Sequence, residues 1–245
     1  YVIDYLVDAA RRLGRRMPMR LVKGAYWDSE IKKAQVDGLD GYPVFTRKAN
    51  TDLSYLACAQ KMFAAHDALY PMFATHNAQT IAAIFQMSEG REFEYQRLHG
   101  MGEHLYAEVI GKEQMDIPCR VYAPVGSHED LLPYLVRRLL ENGANSSFVN
   151  RITDANVAPA ELVADPIATV SSFENKAHPH IPTPNAIFGE ERKNSMGILL
   201  SNDATLSQLA TDIASAMKNW QATPLVPNST SSAPFTETTN PADRR

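Results

Sequence analysis

The strongest constraint on the fold of this chain is a regular alternation of short β-rich stretches with amphipathic stretches. Strand-like segments at residues 19–26, 71–77, 93–101 and 119–126 are each followed by residues whose apolar positions have helical spacing. This alternation predicts parallel βα units. Such units form either half of a doubly wound sheet or half of a (β/α)₈ barrel, and periodicity alone does not choose between them.

The predicted carboxyl ends of the strands are rich in polar and aromatic residues. They lie at positions 23–27, 75–77, 98–100 and 122–124. In both architectures, ligands bind at the carboxyl ends of the parallel strands. We therefore expect a binding site at this edge of the sheet.

A helix that follows the fourth strand carries two adjacent arginines, Arg137 and Arg138. Pro133 is expected in its first turn, and its apolar surface is wide enough for a mostly buried helix. That surface is formed by Leu131, Leu132, Leu135, Val136, Leu139 and Leu140. The arginines point about 100° apart around the axis, and we expect one or both to meet an anion. For an isolated arginine pair, the commoner arrangement is contact with water or with a carboxylate such as Glu141.

Composition excludes several functional classes. The chain has 245 residues, of which 44% are hydrophobic and 21% charged, as in ordinary globular proteins. Its 24 Lys and Arg against 28 Asp and Glu give a net charge of −4 without a basic tract, so nucleic-acid binding is not indicated. Cys58 and Cys119 form no disulfide framework, which suits a reducing compartment. No apolar run reaches the roughly 20 residues of a membrane span, and peripheral membrane contact stays open.

Motifs for metals and for common nucleotide folds are not expected to be functional here. His99, Glu103 and His104 have a spacing wider than a helical metal pair and are separated by glycines. His178 and His180 lie in a Pro-rich loop that we expect to be solvated. The chain contains neither G-x-G-x-x-G nor a P-loop. Three function classes remain at this point: an enzyme, a non-catalytic structural fragment, and a metal-dependent barrel hydrolase.

Six segments resemble the C-terminal half of the proline dehydrogenase barrel. The resemblance is closest to the bifunctional proline utilization A flavoproteins, which also carry a pyrroline-5-carboxylate dehydrogenase domain. The segments are RLVKGAYWDSE, TRKANTDLSYLACA, FATHN, LHGMGE, RVYAPVG and YLVRRLLENGANSSFVNRI. The resemblance implies an α/β fold, the C-terminal half of a TIM-like barrel followed by a mostly helical linker region. It also implies FAD-dependent oxidation of L-proline to 1-pyrroline-5-carboxylate, in proline catabolism to glutamate, with a quinone as electron acceptor.

The same resemblance divides the chain into three parts. Residues 1–152 are expected to be the last four βα units of the barrel, and residues 153–221 a helical linker or docking segment. Residues 222–245 are expected to lead into an NAD-dependent aldehyde dehydrogenase domain. Both ends interrupt a pattern, so we interpret the chain as a fragment. We expect the complete protein to be a cytoplasmic homo-oligomer, and contact with the inner face of the plasma membrane stays open.

The substrate residues follow from matching positions in the family. Arg137 and Arg138 match the clamp for the proline carboxylate, for which a planar guanidinium is well suited. Tyr26, Leu98 and Tyr122 match the residues around the proline ring. Arg20 matches a cation near flavin N5. The predicted catalytic residues are Arg20, Tyr26, Tyr122, Arg137 and Arg138. Without the resemblance, the ring residues are equally well explained as packing at strand ends.

The cofactor residues follow in the same way. The resemblance implies contacts to the isoalloxazine from Arg20, Val22, Lys23, Gly24, Ala25 and Trp27. It implies contacts to the pyrophosphate and adenosine from Thr46, Arg47, Lys48, Thr75, His76 and Asn77. It completes the FAD site with Gln96, Arg138, Glu141 and Phe148. Taken alone, His76 would more often be a structural histidine than a ligand contact.

The isolated 245-residue chain is expected to bind FAD poorly. The family places a lysine and an aspartate of the substrate site, and a flavin-contacting glutamine, on earlier barrel strands that have no counterpart in this sequence. Expression of residues 1–245, followed by measurement of flavin absorbance and proline oxidation, tests this expectation. Copurification with stoichiometric flavin and activity on proline would contradict it.

Overall fold

A computed structural model of the chain describes residues 1–143, 156, 158–216, 234–239, 241 and 242, with the backbone alone at 141–143 and 159. The chain divides into two compact units, Tyr1–Gly197 and Ile198–Arg245. The first unit contains a sheet flanked by helices, and the second contains one described helix. Among the described residues, no helix combines the length and apolar character needed to cross a bilayer.

The first unit alternates strands and helices along most of its length. Its strands are β1 (Met17–Val22), β2 (Leu69–Ala74), β3 (Glu94–Leu98) and β4 (Cys119–Tyr122). Its longer helices are α1 (Val2–Arg12), α2 (Trp27–Val36), α3 (Lys48–Ala64), α4 (Ala78–Ser88), α5 (Glu103–Ile110) and α6 (His128–Gly143). Two short helices and a 3₁₀ turn follow: α7 (Pro159–Leu162), α8 (Pro166–Ser171) and Pro184–Ala186. In the second unit, α9 spans Asp203–Ala216.

The four strands are parallel and are ordered as in the sequence, β1-β2-β3-β4. In a doubly wound sheet with the strand order 3-2-1-4-5-6, the fourth strand pairs with the first strand and not with the third. In a barrel, each new strand pairs with the strand before it. The sequential order therefore favours a barrel segment over the doubly wound alternative. The predicted α/β fold with parallel βα units is confirmed.

The hydrophobic core lies between one face of the sheet and the helices. Its centre is an aromatic cluster in which the rings of Phe63, Phe73 and Phe93 lie 5.2–5.7 Å apart, and Tyr95 packs 5.0 Å from Phe93. Alternate residues point to the opposite face of the sheet. That opposite face, which we call the inner face, carries Arg20, Tyr70, Met72, Glu94, Gln96, Arg120 and Tyr122.

Buried tyrosine hydroxyls from the helices tie neighbouring strands together near their carboxyl ends. Tyr55 of α3 donates to the carbonyls of Leu21 and Ala74, each at 3.3 Å. Tyr106 of α5 donates to the carbonyl of Thr75 at 2.7 Å and lies 3.4 Å from that of Gln96. Burial raises the pKa of both tyrosines, so their hydroxyls stay protonated and remain donors.

The α6 helix differs from two predictions. It begins at His128, where Ser127 accepts a hydrogen bond from the Asp130 amide, so Pro133 lies beyond the first turn. The predicted burial is also wrong, because Leu139 and Leu140 are about 70% exposed. None of the described residues covers that side of the helix.

Residues 158–197 pack against α2, against the loop that follows α2 and against α3. Tyr42 donates to the carbonyl of Pro182 at 2.7 Å, and Asn194 donates to the carbonyl of Gln35 at 2.8 Å. Residues 158–197 thus belong to the first compact unit. The predicted segment boundaries at residues 152 and 221 stay predictions.

Replacement of Tyr106 by Phe is expected to lower the free energy of unfolding by about 1–2 kcal/mol, because the Thr75 carbonyl loses a buried donor. Urea denaturation of the 245-residue chain measures this difference. Tyr5→Phe is the matched control, since Tyr5 is exposed and its replacement should change stability by less than about 0.5 kcal/mol. Equal losses in the two variants would contradict the proposed role of the hydroxyl.

Candidate active site

The parallel register brings most of the predicted site residues to one edge of the sheet. β1, β2, β3 and β4 end at Val22, Ala74, Leu98 and Tyr122, and these ends lie side by side. The segments that follow β1 and β2 carry residues 23–27 and 75–77 to the same edge. Phe148 lies outside the described residues, and the side chain of Glu141 is likewise not described.

Arg20 lies on the inner face and contacts two other strands. Its Nε donates to Gln96 Oε1 on β3 at 2.9 Å, and its guanidinium lies 5.3 Å from the Tyr122 ring centre on β4. Gln96 is buried. The structure thus brings together three predicted site residues, one from each of three strands.

Lys23 lies just past the end of β1 and shares a carboxylate with Lys48. Its ammonium donates to Asp52 Oδ1 at 2.5 Å, and that of Lys48 donates to Oδ2 at 2.6 Å. Burial lowers the pKa of Lys23, and Asp52 opposes this effect. Two cations around one carboxylate leave a net positive charge at the N-terminus of α3, an arrangement that favours an anion.

Thr46 and Arg47, predicted to lie near the adenosine and pyrophosphate, contact another part of the chain. Thr46 Oγ1 accepts a hydrogen bond from the His178 amide at 2.9 Å. Arg47 Nε donates to the carbonyl of Ala177 at 3.0 Å, and its guanidinium lies 4.1 Å from the Phe173 ring centre. These residues therefore hold residues 173–178 against the N-terminus of α3.

Arg137 lies against the turn that follows β1. It donates to the Ala25 carbonyl at 3.3 Å, to Asp28 at 2.7 Å and to Ser29 at 3.1 Å. Its guanidinium is 4.5 Å from the Tyr26 ring centre. Asp28 is the anion that this arginine meets, and Arg137 lowers the pKa of its carboxyl.

Arg138 points to a different set of residues, as expected for its position on the helix. Its guanidinium lies 5.1 Å from the Tyr134 ring centre. Its positive charge also contributes to lowering the pKa of His76, after burial and Arg97.

Residues 75–77 make local hydrogen bonds that organise the end of β2. Asn77 caps α4, accepting from the Thr80 amide at 3.0 Å, and Thr75 accepts from the Asn77 amide at 3.2 Å. The Nε2 of His76 accepts from the Leu98 amide at 3.3 Å. Each residue therefore has a structural role whether or not it contacts a ligand.

The remaining predicted residues lie around the end of β1. Val22 is partly exposed, and Trp27 donates its indole N–H to the Phe45 carbonyl at 2.8 Å. A Cβ added to Gly24 would meet nothing within 4 Å. Open space at this glycine permits the close approach of a ligand. In the described part of the chain, no three His, Cys, Asp or Glu side chains gather as a metal site would require.

Comparison with known proteins gives a consistent assignment. The model of the proline dehydrogenase family matches residues 1–151. The chain belongs to the proline dehydrogenase family. It is 54% identical to the bifunctional protein PutA of Salmonella typhimurium and 51% identical to that of Rhizobium meliloti, over 99% and 100% of its length. It spans only 19–20% of these relatives.

A solved structure of the same kind is also similar. A crystal structure of a mutant Bradyrhizobium japonicum proline utilization A (PutA) matches with a TM-score of 0.81 and 54% identity. The match covers 87% of this chain and 22% of that one. The fold of this proline dehydrogenase segment therefore agrees with that of its relatives.

Three acidic residues of this edge and of the inner face were not predicted as site residues. They are Asp28, Asp52 and Glu94, which pair with Arg137, with Lys23 and Lys48, and with Arg120. A carboxylate within a strand, as in the sequence EYQRL, was the available signal for Glu94. The pairings themselves depend on strand register, which the sequence pattern does not reveal.

His76 should make the stability of this chain depend on pH. Burial, with smaller contributions from Arg97 and Arg138, lowers the pKa of His76 in the folded state. The contribution of neutral His76 to the free energy of unfolding is therefore fully present above the unfolded pKa of about 6.5. It is lost as the pH falls through the lower pKa of the folded state. Urea denaturation at a series of pH values measures the slope, which His76→Gln should reduce. His180→Gln changes an exposed histidine and should keep the original slope, and the same slope in both variants would contradict the assignment.

Proposed function

We propose that this chain supplies substrate-binding and flavin-binding residues of an FAD-dependent proline dehydrogenase. The reaction is the oxidation of L-proline to 1-pyrroline-5-carboxylate within a larger bifunctional protein. The observation that carries the proposal is the position of Arg137 on the ring of Tyr26, beside the end of β1, in a chain of this family. A cation and an aromatic face at the carboxyl edge of parallel strands suit a small cyclic amino acid.

Arg137 binds the substrate carboxylate in this proposal. It already contacts a carboxylate, that of Asp28, with a geometry that leaves Asp28 exposed to water. A proline carboxylate competes for the same guanidinium and gains a charge-assisted hydrogen bond. Arg138 is the second member of the clamp, and Tyr26, Leu98 and Tyr122 limit the space for the ring.

The residues on the inner face and at the strand ends fit a flavin dinucleotide. Arg20 provides a positive charge above the sheet, and Lys23 and Lys48 provide two more beside the N-terminus of α3. FAD, when bound, supplies the acceptor for a hydride from the ring carbon next to the proline nitrogen. Val22, Gly24, Ala25, Trp27, Gln96 and residues 75–77 line the approach to these cations. We assign Thr46, Arg47, Arg138, Glu141 and Phe148 to the same site from the family match.

Orientation is the main contribution of these side chains to the rate. Arg137 fixes the acid group while Tyr122 and Leu98 fix the ring, so the reacting carbon is held in one position. Arg20 favours negative charge that develops at the inner face during the reaction.

The complete protein has further partners in this proposal. Electrons pass to a quinone, and the product passes to an NAD-dependent aldehyde dehydrogenase domain of the same polypeptide. We place the protein in the cytoplasm as a homo-oligomer, with peripheral contact at the inner face of the plasma membrane giving access to the quinone.

Arg137→Met in the complete protein is expected to raise the KM for proline by about 10- to 100-fold, because a charged hydrogen bond contributes about 1.5–3 kcal/mol. Bound flavin, measured by its visible absorbance, should stay near the original level. Arg12→Met is the control, since Arg12 is exposed on α1 and pairs with Asp8 one turn away on the same helix. A KM unchanged by Arg137→Met would remove this residue from the substrate site.

A further inference from the structure

Glu94 is a nearly buried carboxylate on the inner face of the sheet. Its relative exposure is 5%. It accepts hydrogen bonds from Arg120 Nε at 2.8 Å and Arg120 Nη2 at 2.9 Å, and from Gln96 Nε2 at 2.9 Å. Neither Glu94 nor Arg120 belongs to the residues proposed to touch substrate or flavin. A buried carboxylate is costly unless each of its oxygens is paired, so this arrangement needs a reason beyond sheet packing.

The carboxylate determines the orientation of the neighbouring amide. The hydrogen bonds from Arg120 hold the pKa of Glu94 below its ordinary value. Burial raises this pKa and the hydrogen bond from Gln96 lowers it, so the net shift is downward. Glu94 is therefore ionised and only accepts hydrogen bonds. The Gln96 amide must therefore turn its NH₂ toward Glu94. Its oxygen then faces the opposite way, where it accepts from Arg20 Nε at 2.9 Å.

We propose that Glu94 is a positioning residue for Arg20 and acts through the amide of Gln96. The relay consists of Glu94 and Gln96 on β3 and Arg20 on β1. The hydrogen bonds between them allow each side chain one orientation. The role of Arg20 at the flavin rests on the proposed function. The relay keeps the Arg20 guanidinium 5.3 Å from the Tyr122 ring centre.

A simpler role for Glu94 would be to pair with Arg120 and stabilise the β3–β4 edge. That role ends at Arg120 and does not involve Arg20. The two roles differ in what happens when Arg20 itself is changed.

The first test is a double-mutant cycle in the 245-residue chain. Glu94→Gln removes the charge that orients Gln96, and Arg20→Lys removes Nε. The unfolding equilibrium constants from urea denaturation should be non-additive by about threefold or more, because both residues share Gln96 as a partner. Glu92→Gln with Arg20→Lys is the matched control pair. Glu92 is exposed and pairs with Arg16, so this pair should be additive within about twofold.

The same cycle in an Arg120→Lys background separates the relay from the Glu94–Arg120 pair. Lysine keeps a cation beside Glu94, so Glu94 stays ionised, but it breaks the two-bond pairing with the guanidinium, and the side chain at position 120 is 64% exposed, so the chain should still fold. The coupling between Glu94 and Arg20 should persist there. Its disappearance would assign the effect to the Glu94–Arg120 pair and overturn the proposal.

The second test measures the flavin in the complete protein. A displaced Arg20 stabilises the anionic reduced ring less, so Glu94→Gln should shift the reduction equilibrium toward oxidised flavin by about tenfold, or about 30 mV for a two-electron couple. The kcat should fall while the KM for proline changes by less than about twofold, because Arg137 is untouched. In the Arg20→Lys background, Glu94→Gln should add no further shift, and Glu92→Gln should leave the potential unchanged.

The outcomes separate this proposal from the proposed function. If the unmodified protein holds no flavin, the proposed function fails, and the cycle in the 245-residue chain still decides whether Glu94 positions Arg20. Additivity in that cycle overturns the positioning role. An unchanged potential in flavin-loaded Glu94→Gln protein, or an equal shift in the Arg20→Lys background, also overturns it.

Discussion

The parallel register of the four strands decides which residues of this chain meet. It sets Met72 of β2 opposite both Arg20 of β1 and Glu94 of β3, and Gln96 opposite Arg120. A shift of one residue in any strand would move these side chains to the helical face, because successive side chains point to opposite faces. The buried hydroxyls of Tyr55 and Tyr106 support this register at the carboxyl ends, where the candidate site lies.

Four cations of the candidate site already have a partner supplied by the chain. Arg137 has Asp28, Lys23 and Lys48 share Asp52, and Arg20 has the amide of Gln96. Such partners hold long side chains in place before a ligand arrives, which lowers the entropic cost of binding. The two carboxylates differ in how strongly water screens their ion pairs, since the Asp28 side chain is 70% exposed whereas that of Asp52 is 24% exposed. If the proposed function holds, the exposed Asp28 is the carboxylate that a competing anion displaces more easily.

The fold and most of the residues at the carboxyl edge of the sheet could be predicted from the sequence, because both depend on local patterns. The strand-helix alternation and the polar residues after each strand required no knowledge of distant contacts. The burial of α6 was predicted wrongly, since a wide apolar face on a helix does not reveal what covers it. Glu94 and Asp52 were missed for a related reason: Arg120 and Lys23, the cations that mark them as part of the site, lie 26 and 29 residues away and are known as partners only once the register is known. The role of Phe148 stays a prediction.

The loop before α3 connects the candidate site to residues beyond the barrel strands. Thr46 and Arg47 hydrogen-bond to the backbone of residues 178 and 177, and Asn50 donates to the carbonyl of Lys176 at 2.8 Å. These bonds satisfy backbone groups that water would otherwise bind, so they fix the path of both segments. Asp52, which holds Lys23 and Lys48, is on the first turns of the same helix. The positions of the two lysines therefore depend on a helix whose N-terminus is supported by residues 173–178, well after the last strand of the sheet.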